Sequence, residues 1–235
     1  MAFLENPSDF KGKIIAIDGP AGSGKSTTAR LVARRLGFTF LDTGAMYRAV
    51  ALLALRKGVS YDDAEGLALI AAEATIEFRN DPDRGQLIFL NGEDVTEAIR
   101  TPEATHGSSA VAVYPGVRRQ MVRRQQMMGR QGNLVAEGRD TTSVVFRDAD
   151  LKIYLDADLK TRAERRYLEA TGRGETTTID EQERLLIERD KNDTGRADSP
   201  LVRAPGAVVV DTTSLTIEQQ VDKIIELSRK AFSGK

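Results

Sequence analysis

The segment best suited to chemistry is a glycine-rich run, Gly19-Pro-Ala-Gly-Ser-Gly24-Lys25-Ser26, between an apolar stretch and a helical pattern. Its glycines let successive backbone N–H groups turn inward around a polyanion, and the helix start adds partial positive charge. In such a loop Lys25 reaches the β- and γ-phosphates of a nucleoside triphosphate, and the Ser26 hydroxyl ligates Mg²⁺. A glycine-rich turn capped by Ser26 is the structural alternative. The predicted nucleotide contacts are Gly19, Pro20, Ala21, Gly22, Ser23, Gly24, Lys25, Ser26 and Thr27.

A second polar motif, Asp42-Thr43-Gly-Ala-Met-Tyr-Arg48, follows the next apolar stretch. Ligands of open α/β sheets sit at the carboxyl ends of strands, where this acceptor-rich turn is expected. Arg48 lies one turn into the following helix, from which it can lean back toward an anion at the helix start. A helix N-cap at Asp42 or Thr43 and a solvated face for Arg48 explain the same residues, so both interpretations stay open.

Two later motifs also combine arginine with acid. In Ala136-Glu137-Gly138-Arg139-Asp140, a guanidinium and a carboxylate share the end of a strand, which is costly unless each has a partner; a surface Arg–Asp pair is the alternative. In Arg189-Asp190-Lys-Asn-Asp193-Thr-Gly-Arg196, two arginines bracket an acid after the helical segment 180–188. This position favours the hinge-side end of a mobile lid.

These arginines bear on the acceptor of the phosphoryl group. A hydroxyl acceptor needs a base to take its proton, whereas a phosphate monoester oxygen is already anionic near neutral pH. Joining two polyanions instead requires several converging guanidinium groups, and Arg48, Arg139, Arg189 and Arg196 all flank motif positions. Genomic composition or helix surfaces would also enrich arginine. With that alternative open, the motifs favour transfer onto an existing phosphate.

The elements that must position these residues alternate between strand and helix. Five short apolar stretches, most of them ending on an acid, are typical of parallel strands covered on both faces. They are Ile14–Asp18, 38–42, 134–137, Leu151–Asp156 and 207–211. Helical patterns occupy 26–36 with Gly37 as the stop, 45–57 closed by Gly58, 115–130, 159–170, 180–189 and 217–232. The alternation predicts a wound α/β sheet.

One stretch breaks this alternation. From Thr75 the chain reads Thr-Ile-Glu-Phe-Arg, then a turn-rich segment at 80–85, then Leu-Ile-Phe-Leu and an Asn91-Gly92 turn. This is the residue chemistry of a β-hairpin. It predicts a small, partly antiparallel insertion over about residues 60–105.

Composition excludes several functional classes. With 34 Lys+Arg against 35 Asp+Glu, the net charge of −1 offers no global basic field for nucleic acid or an anionic membrane. The absence of cysteine and the single histidine exclude disulfides, thiolate sites and histidine-rich metal sites, and fit a reducing cytoplasm. Residues 1–13 lack the apolar core of a signal peptide, and the apolar run at 49–55 is far shorter than the roughly 20 residues of a membrane span. We expect a soluble, cytoplasmic monomer.

The motifs together, in order and spacing, resemble the bacterial cytidylate kinases over essentially the whole chain from Lys13 onward. The residues that carry the resemblance are the loop 19–27, Asp42-Thr43-Gly-Ala-Met-Tyr-Arg48, Gly92-Glu-Asp-Val with Ile99-Arg-Thr, Gly138-Arg139-Asp140, the Arg-Asp-x-x-Asp-x-x-Arg at 189–196, Ser199-Pro-Leu-Val and Val209-Val-Asp-Thr-Thr213. The resemblance implies a P-loop nucleoside monophosphate kinase fold with a five-stranded parallel sheet flanked by helices. It also implies one kinase domain over 13–235, a monophosphate-binding lobe enlarged by the insertion near 60–105, and a lid near 160–196.

The same resemblance implies roles for individual residues, with ATP and Mg²⁺ as co-substrate and metal and CMP or dCMP as acceptor. Ser109, Arg118 and Asp140 would contact the cytosine edge, which presents an amine donor beside ring acceptors. The acceptor-phosphate arginines are Arg48, Arg139 and Arg189, and Asp193 with Arg196 would bind sugar or phosphate. The implied substrate set is completed by Asp42 and Thr43. The catalytic set is Lys25, Arg139, Arg189 and Arg165, the last chosen over Arg162 and Arg166 as the lid arginine that reaches ATP.

Three details and three alternatives qualify this reading. Arg118 lies in a basic helical stretch but on a different face from Arg119 and Arg123, and His106 is expected to satisfy only a local hydrogen bond. Where the family has Gly-Thr after the Arg-Asp pair and a Pro after Val-Val-Phe, this chain has Thr141-Thr142-Ser143 and Arg147, which puts the backbone path behind Asp140 in doubt. Two alternatives stay open: a kinase of UMP, AMP or shikimate, and a non-catalytic nucleotide-binding module. A GTPase is excluded, because this chain lacks the guanine-reading motif of that class.

Overall fold

The structure is a computed structural model that describes residues 12–81 and 83–233. Two parts of the sequence predictions lie outside the described residues. They are residues 1–11, most of the segment that lacks a signal-peptide core, and Pro82 of the predicted turn. The described chain forms two compact units. The sheet unit comprises residues 12–41 and 128–233, and the hairpin unit comprises residues 42–127.

The sheet unit is built on the predicted five-stranded parallel sheet. Its strands are β1 (Ile14–Asp18), β2 (Thr39–Asp42, ending at the unit boundary), β6 (Leu134–Gly138), β7 (Leu151–Asp156) and β8 (Val208–Asp211). They hydrogen-bond in the order β2-β6-β1-β7-β8, and β1 pairs in parallel with both β6 and β7. The polar residues that follow β1 and β6 therefore meet at the same edge of the sheet.

Four helices flank this sheet, and they confirm the predicted alternation. They are α1 (Lys25–Leu36), α6 (Leu159–Gly172), α7 (Ile179–Thr194) and α8 (Ile217–Ser233). Helix α1 ends at Gly37, whose φ of 68° is the left-handed conformation that glycine adopts readily. One core cluster joins α1 and α8 to the central strands, with Ile15, Ile17, Val32, Ile153 and Ile224 among its buried members.

The hairpin unit contains the predicted antiparallel insertion. Strands β3 (Ile76–Asp81), β4 (Gly85–Leu90) and β5 (Glu93–Asp94) form a three-stranded sheet in chain order, and β4 pairs antiparallel with both neighbours. Its helices are α2 (Thr43–Lys57), α3 (Ala64–Glu73), α4 (Pro102–Val111) and α5 (Pro115–Met128, ending at the unit boundary). None of the helices within the described residues combines the length and the apolar character that a membrane span requires.

Two helical segments differ from the sequence prediction. The helix expected at 180–189 continues to Thr194. Residues 188–194 are all polar or charged, so the apolar periodicity that locates a helix ends before this helix does. Helices α3 and α4 were not predicted as elements of the insertion; Asp63 and Thr101 cap them by accepting bonds from the N–H groups of Gly66 and Ala104. Such Asp and Thr caps are readable sequence signals.

The core of the sheet unit yields a stability prediction. Ile153 is fully buried in β7, so Ile153→Ala is expected to lower the free energy of unfolding by about 2–5 kcal/mol. Val209 of β8 is 41% exposed, and Val209→Ala should cost about 0.5 kcal/mol or less. Urea unfolding of both variants measures the difference. Equal losses would contradict the assigned core.

Candidate active site

The glycine-rich loop runs from the end of β1 to the start of α1, as predicted. At Gly19 a Cβ would lie 1.9 Å from the carbonyl oxygen of Leu155 in β7, so no side chain fits there. Gly24, the residue before α1, has φ of 89°. Both positions require glycine, and together they bring the backbone close around the space that a phosphate would fill.

Lys25 is buried at the first position of α1. Its Nζ donates to the Pro20 carbonyl at 2.6 Å and lies 3.5 Å from Ser23 Oγ. Burial, followed by repulsion from Arg139, lowers the pKa of Lys25 to about 7, although the negative charge of Glu137 acts in the opposite direction. A bound anion would relieve the repulsion between cations crowded in this way.

Glu137 lies in one of the predicted motifs, but the sequence predicted no role for it. It is buried near the end of β6, and its Oε1 accepts a hydrogen bond from Ser26 Oγ at 2.7 Å. A hydroxyl and a carboxylate are the hard oxygen donors that Mg²⁺ prefers, and Mg²⁺ usually keeps several waters. The pair therefore fits Mg²⁺, even though the described residues contain no cluster of three or more acidic, histidine or cysteine ligands. A buried acid ending a central strand was the available signal.

Arg139, Asp193 and Arg196 form one ionic cluster in the sheet unit. Asp193 accepts from Arg139 Nε at 2.6 Å and from Arg196 Nη2 at 2.9 Å. Burial opposes ionisation of Asp193, but Arg139, Arg196 and Arg189 together hold its pKa below the usual value. Because α7 extends to Thr194, Arg189 and Asp193 stand in its last turns, so the expectation that they follow the helix was wrong.

Two arginines of α6 also reach the phosphate loop, but they contact its backbone. Arg165 donates to the Thr212 carbonyl at 2.6 Å and lies 3.5 Å from the Gly22 carbonyl. Arg162, which is buried, donates to the Ala21 carbonyl at 3.1 Å and pairs with Asp190 at 2.8 Å. The sequence placed Arg165 near the nucleotide, and the structure places both arginines beside the loop. Arg166 pairs instead with Glu169 on the same helix.

The backbone path behind Asp140 needs no glycine. Residues Thr141–Val145 form a π-helical turn in which the Val145 N–H bonds to the Asp140 carbonyl and the Phe146 N–H to the Thr141 carbonyl. Within the described residues, the non-glycine positions with positive φ are Asn91, Asn133 and Ser199, so neither threonine is strained. The doubt raised by Thr141 and Thr142 is therefore removed for the backbone.

In the hairpin unit, Asp42 and Arg48 combine both sequence interpretations. Asp42 Oδ1 caps α2 by accepting from the Ala45 N–H at 2.9 Å, and Asp42 Oδ2 accepts from Arg48 Nη2 at 2.8 Å. Arg48 therefore leans back toward the helix start as expected. Thr43, the residue after Asp42, is buried. The cap and the arginine geometry are compatible, so the N-cap alternative does not displace the anion-binding one.

Arg118 and Ser109 occupy different helices of the same unit. Arg118 on α5 is 2% exposed; its Nη1 lies 3.4 Å from the Ala112 carbonyl and its guanidinium 5.8 Å from the centre of the Tyr47 ring. Ser109 is half-buried on α4, and His106 of the same helix is exposed. Arg119 is exposed, which confirms that the neighbouring arginines lie on another face.

The parallel sheet, the glycine-rich loop between β1 and α1 and the buried Lys25 define a P-loop nucleotide-binding protein. A family model described as cytidylate kinase matches residues 15–230. The cytidylate kinase of Solibacter usitatus (strain Ellin6076) is 48% identical over 231 residues, which cover 97% of this chain and 97% of that protein. The chain belongs to the cytidylate kinase family, and it is an ATP-dependent nucleoside monophosphate kinase.

Two further comparisons bear on length and fold. A bifunctional pantoate ligase/cytidylate kinase of Synechococcus sp. (strain JA-3-3Ab) is 45% identical over 228 residues, which are 95% of this chain but 42% of that protein. The chain thus spans less than half the length of that relative. The crystal structure of an uncharacterized protein from Eubacterium ventriosum ATCC 27560 aligns with a TM-score of 0.52 at 11% identity, covering 95% of this chain and 99% of that one, which is a likeness of fold alone.

The ionic cluster predicts a pH-dependent loss of stability in Asp193→Asn. This change leaves Arg139 and Arg196 without their shared carboxylate and should cost about 3–5 kcal/mol at neutral pH. Because the pKa of Asp193 is lowered on folding, its contribution is fully present above the ordinary Asp pKa of 3.8. It is lost as pH falls below 3.8 through the lower folded value, so wild type and variant should converge there.

Urea unfolding from pH 7 down to the acid limit of folding measures this difference. Glu188→Gln, which removes an exposed carboxylate of the same helix, is the matched control and should stay close to wild type. A difference between Asp193→Asn and wild type that is independent of pH would contradict the charge-based explanation.

Proposed function

We propose that this chain transfers the γ-phosphate of ATP to CMP or dCMP and releases ADP with CDP or dCDP. The observation that supports it most is the concentration of cations at one edge of the sheet unit. Lys25 of the phosphate loop is repelled by Arg139 and Arg189, and Arg139 is fixed by Asp193. The triphosphate of ATP would occupy the loop, and these additional arginines suit a second phosphate beside it.

The proposed phosphoryl transfer depends on charge and orientation rather than on a general base. The phosphate of the acceptor is already anionic near neutral pH, so its oxygen can attack without losing a proton to the protein. Lys25 and the loop N–H groups hold the donor phosphates, while Arg48, Arg139 and Arg189 orient and neutralise the acceptor phosphate. Mg²⁺, held by Ser26 and Glu137 through direct or water-mediated contacts, would neutralise charge on the donor phosphates.

Selection of the cytosine base is assigned to Ser109, Arg118 and Asp140. Arg118 is buried in the hairpin unit and Asp140 is buried in the sheet unit, and discrimination by hydrogen bonds requires polar partners withdrawn from water in this way. Cytosine presents an exocyclic amine beside ring acceptors, which a carboxylate and a guanidinium can answer in turn. Uracil carries a carbonyl where cytosine has the amine, so Asp140 would face an acceptor and reject it. Asp42, Thr43, Asp193 and Arg196 complete the proposed substrate contacts.

Further assignments complete the proposal. Residues 13–235 would act as one kinase domain, with the insertion near 60–105 serving the acceptor and the region near 160–196 acting as a lid. Arg165 is proposed to turn from the Gly22 and Thr212 carbonyls toward the ATP phosphates when the lid closes. Closure of the lid would also exclude water from the reaction. The monomeric state, the cytoplasmic location and the absence of a nucleic acid partner stay predictions.

A panel of acceptors tests the proposed substrate. ADP release with Mg·ATP is measured for CMP, dCMP, UMP, AMP, GMP and shikimate, and kcat/KM for CMP or dCMP should exceed every other value. Lys25→Ala is the inactive reference and should lower kcat by roughly 10³-fold or more, since it removes a cation from the donor phosphates. A higher kcat/KM for UMP, AMP or shikimate would replace the proposed substrate. Absence of turnover with every acceptor in the panel would favour the binding-module alternative.

The base-reading role of Arg118 is tested by Arg118→Met. The ratio of kcat/KM for CMP over UMP should fall roughly 10- to 100-fold, because the pocket loses a fixed hydrogen-bond partner, while KM for ATP changes by about twofold at most. Arg119→Met, one position along α5 and exposed, is the matched control and should preserve the ratio. An unchanged CMP/UMP ratio in Arg118→Met would remove this residue from base recognition.

A further inference from the structure

Asp18, the last residue of β1, is a fully buried carboxylate that the proposed mechanism does not use. It accepts four hydrogen bonds from two consecutive residues. Thr141 donates its N–H at 2.9 Å and its hydroxyl at 2.7 Å to Oδ1, and Thr142 donates its N–H at 2.7 Å and its hydroxyl at 2.6 Å to Oδ2. Each carboxylate oxygen thus receives one main-chain and one side-chain donor.

The segment that Asp18 holds lies directly behind two proposed acceptor contacts. Asp18 is the register partner of Gly138 in the pairing of β1 with β6, so the sheet fixes the chain just before Arg139 and Asp140. The four bonds from Asp18 fix it again just after them, at Thr141 and Thr142. Arg139 and Asp140 therefore stand on a short backbone span that is anchored at both ends, and both anchors involve the same residue.

The π-helical turn strengthens the second anchor. The Asp140 carbonyl accepts from the N–H groups of both Val144 and Val145, at 2.9 and 3.1 Å. Turns of this kind are rare and concentrate at functional sites. Here the turn leaves the N–H groups of Thr141 and Thr142 directed at Asp18, so one carboxylate satisfies two amides at the start of the turn.

We propose that Asp18 is a positioning residue for the acceptor: through the amides and hydroxyls of Thr141 and Thr142 it fixes Arg139 and Asp140, and so sets affinity and selectivity for the nucleoside monophosphate. This inference rests on the proposed function. It also gives the Thr-Thr pair, which departs from the family pattern at this position, a physical task in this chain. Burial lowers the pKa of Arg139, but the negative charges of Asp193, then Glu137 and then Asp18 together raise it above the usual value.

A purely structural role for the same contacts makes a different prediction. Asp18 also precedes Gly19, so a change that merely loosens the sheet edge should disturb ATP binding and acceptor binding alike. A positioning role should move the acceptor parameters alone when the change is made on the threonine side. The hydroxyl of Thr142 is the sharpest place to test this, because its removal leaves Asp18, the phosphate loop and the two main-chain N–H bonds to Asp18 in place.

The test compares Thr142→Val, Thr142→Ser and Ser143→Ala in the full chain, with steady-state kinetics for CMP, UMP and Mg·ATP. Valine keeps the branched shape and removes the hydroxyl, and serine restores the hydroxyl. Ser143 lies in the same turn but its hydroxyl has no hydrogen-bond partner among the residues that the structure describes, so Ser143→Ala is the matched control. Thr142→Val should raise KM for CMP about tenfold and lower the CMP/UMP ratio of kcat/KM at least about threefold, with KM for ATP within about twofold of wild type.

Thr142→Ser and Ser143→Ala should both stay within about twofold of wild type in every parameter. Equal changes for CMP and ATP in Thr142→Val, unchanged CMP parameters, or failure of serine to restore them would overturn the inference while leaving the proposed function intact. A wild type without CMP turnover would instead contradict the proposed function, and the inference with it. If thermal unfolding shows that Thr142→Val does not fold, Thr141→Val removes the equivalent hydroxyl from the other oxygen and is judged by the same outcomes.

Discussion

The structure depends on a balance of buried charge at one edge of the parallel sheet. Lys25, Arg139 and Arg196 are largely or fully withdrawn from water, which is costly unless each cation has a partner. Glu137 and Asp193 supply the opposite charge, but the balance is incomplete at Lys25, whose pKa is lowered to about 7 by burial and by repulsion from Arg139. The uncompensated positive charge therefore makes the binding of phosphates at this site favourable.

The sheet topology explains why these charges meet. Strands β1 and β6 are adjacent and parallel, so the phosphate loop after β1 and the Gly138-Arg139-Asp140 segment after β6 leave the sheet at the same edge. The end of α7 then contributes Asp193 to Arg139. Asp18 ties the two strand ends to each other beyond the last pair of the ladder. The proposed donor contacts of the loop and the proposed acceptor contacts of Arg139 and Asp140 thus depend on the same two strands.

The sequence was sufficient for much of this arrangement, because the decisive signals are local. Apolar runs ending on acids predicted the strands to within a residue or so, and the glycines at 37 and 58 marked the ends of α1 and α2. The contacts of Glu137 with Ser26 and of Asp18 with Thr141 and Thr142 were not predictable in the same way, since they join residues over 100 positions apart. Spacing also could not show that Arg162 and Arg165 donate to loop carbonyls. An arginine that binds a phosphate and an arginine that binds the backbone of the phosphate loop have the same appearance in a sequence.

The central claim is that the γ-phosphate of ATP moves onto the phosphate of a cytidine monophosphate, and the identity of the products tests it most directly. ³¹P NMR of a reaction containing the protein, Mg·ATP and CMP follows every phosphate at once. The account predicts that ADP and CDP appear together in a one-to-one ratio while inorganic phosphate stays at its background level. ADP formed with inorganic phosphate while CMP is left unchanged would contradict it.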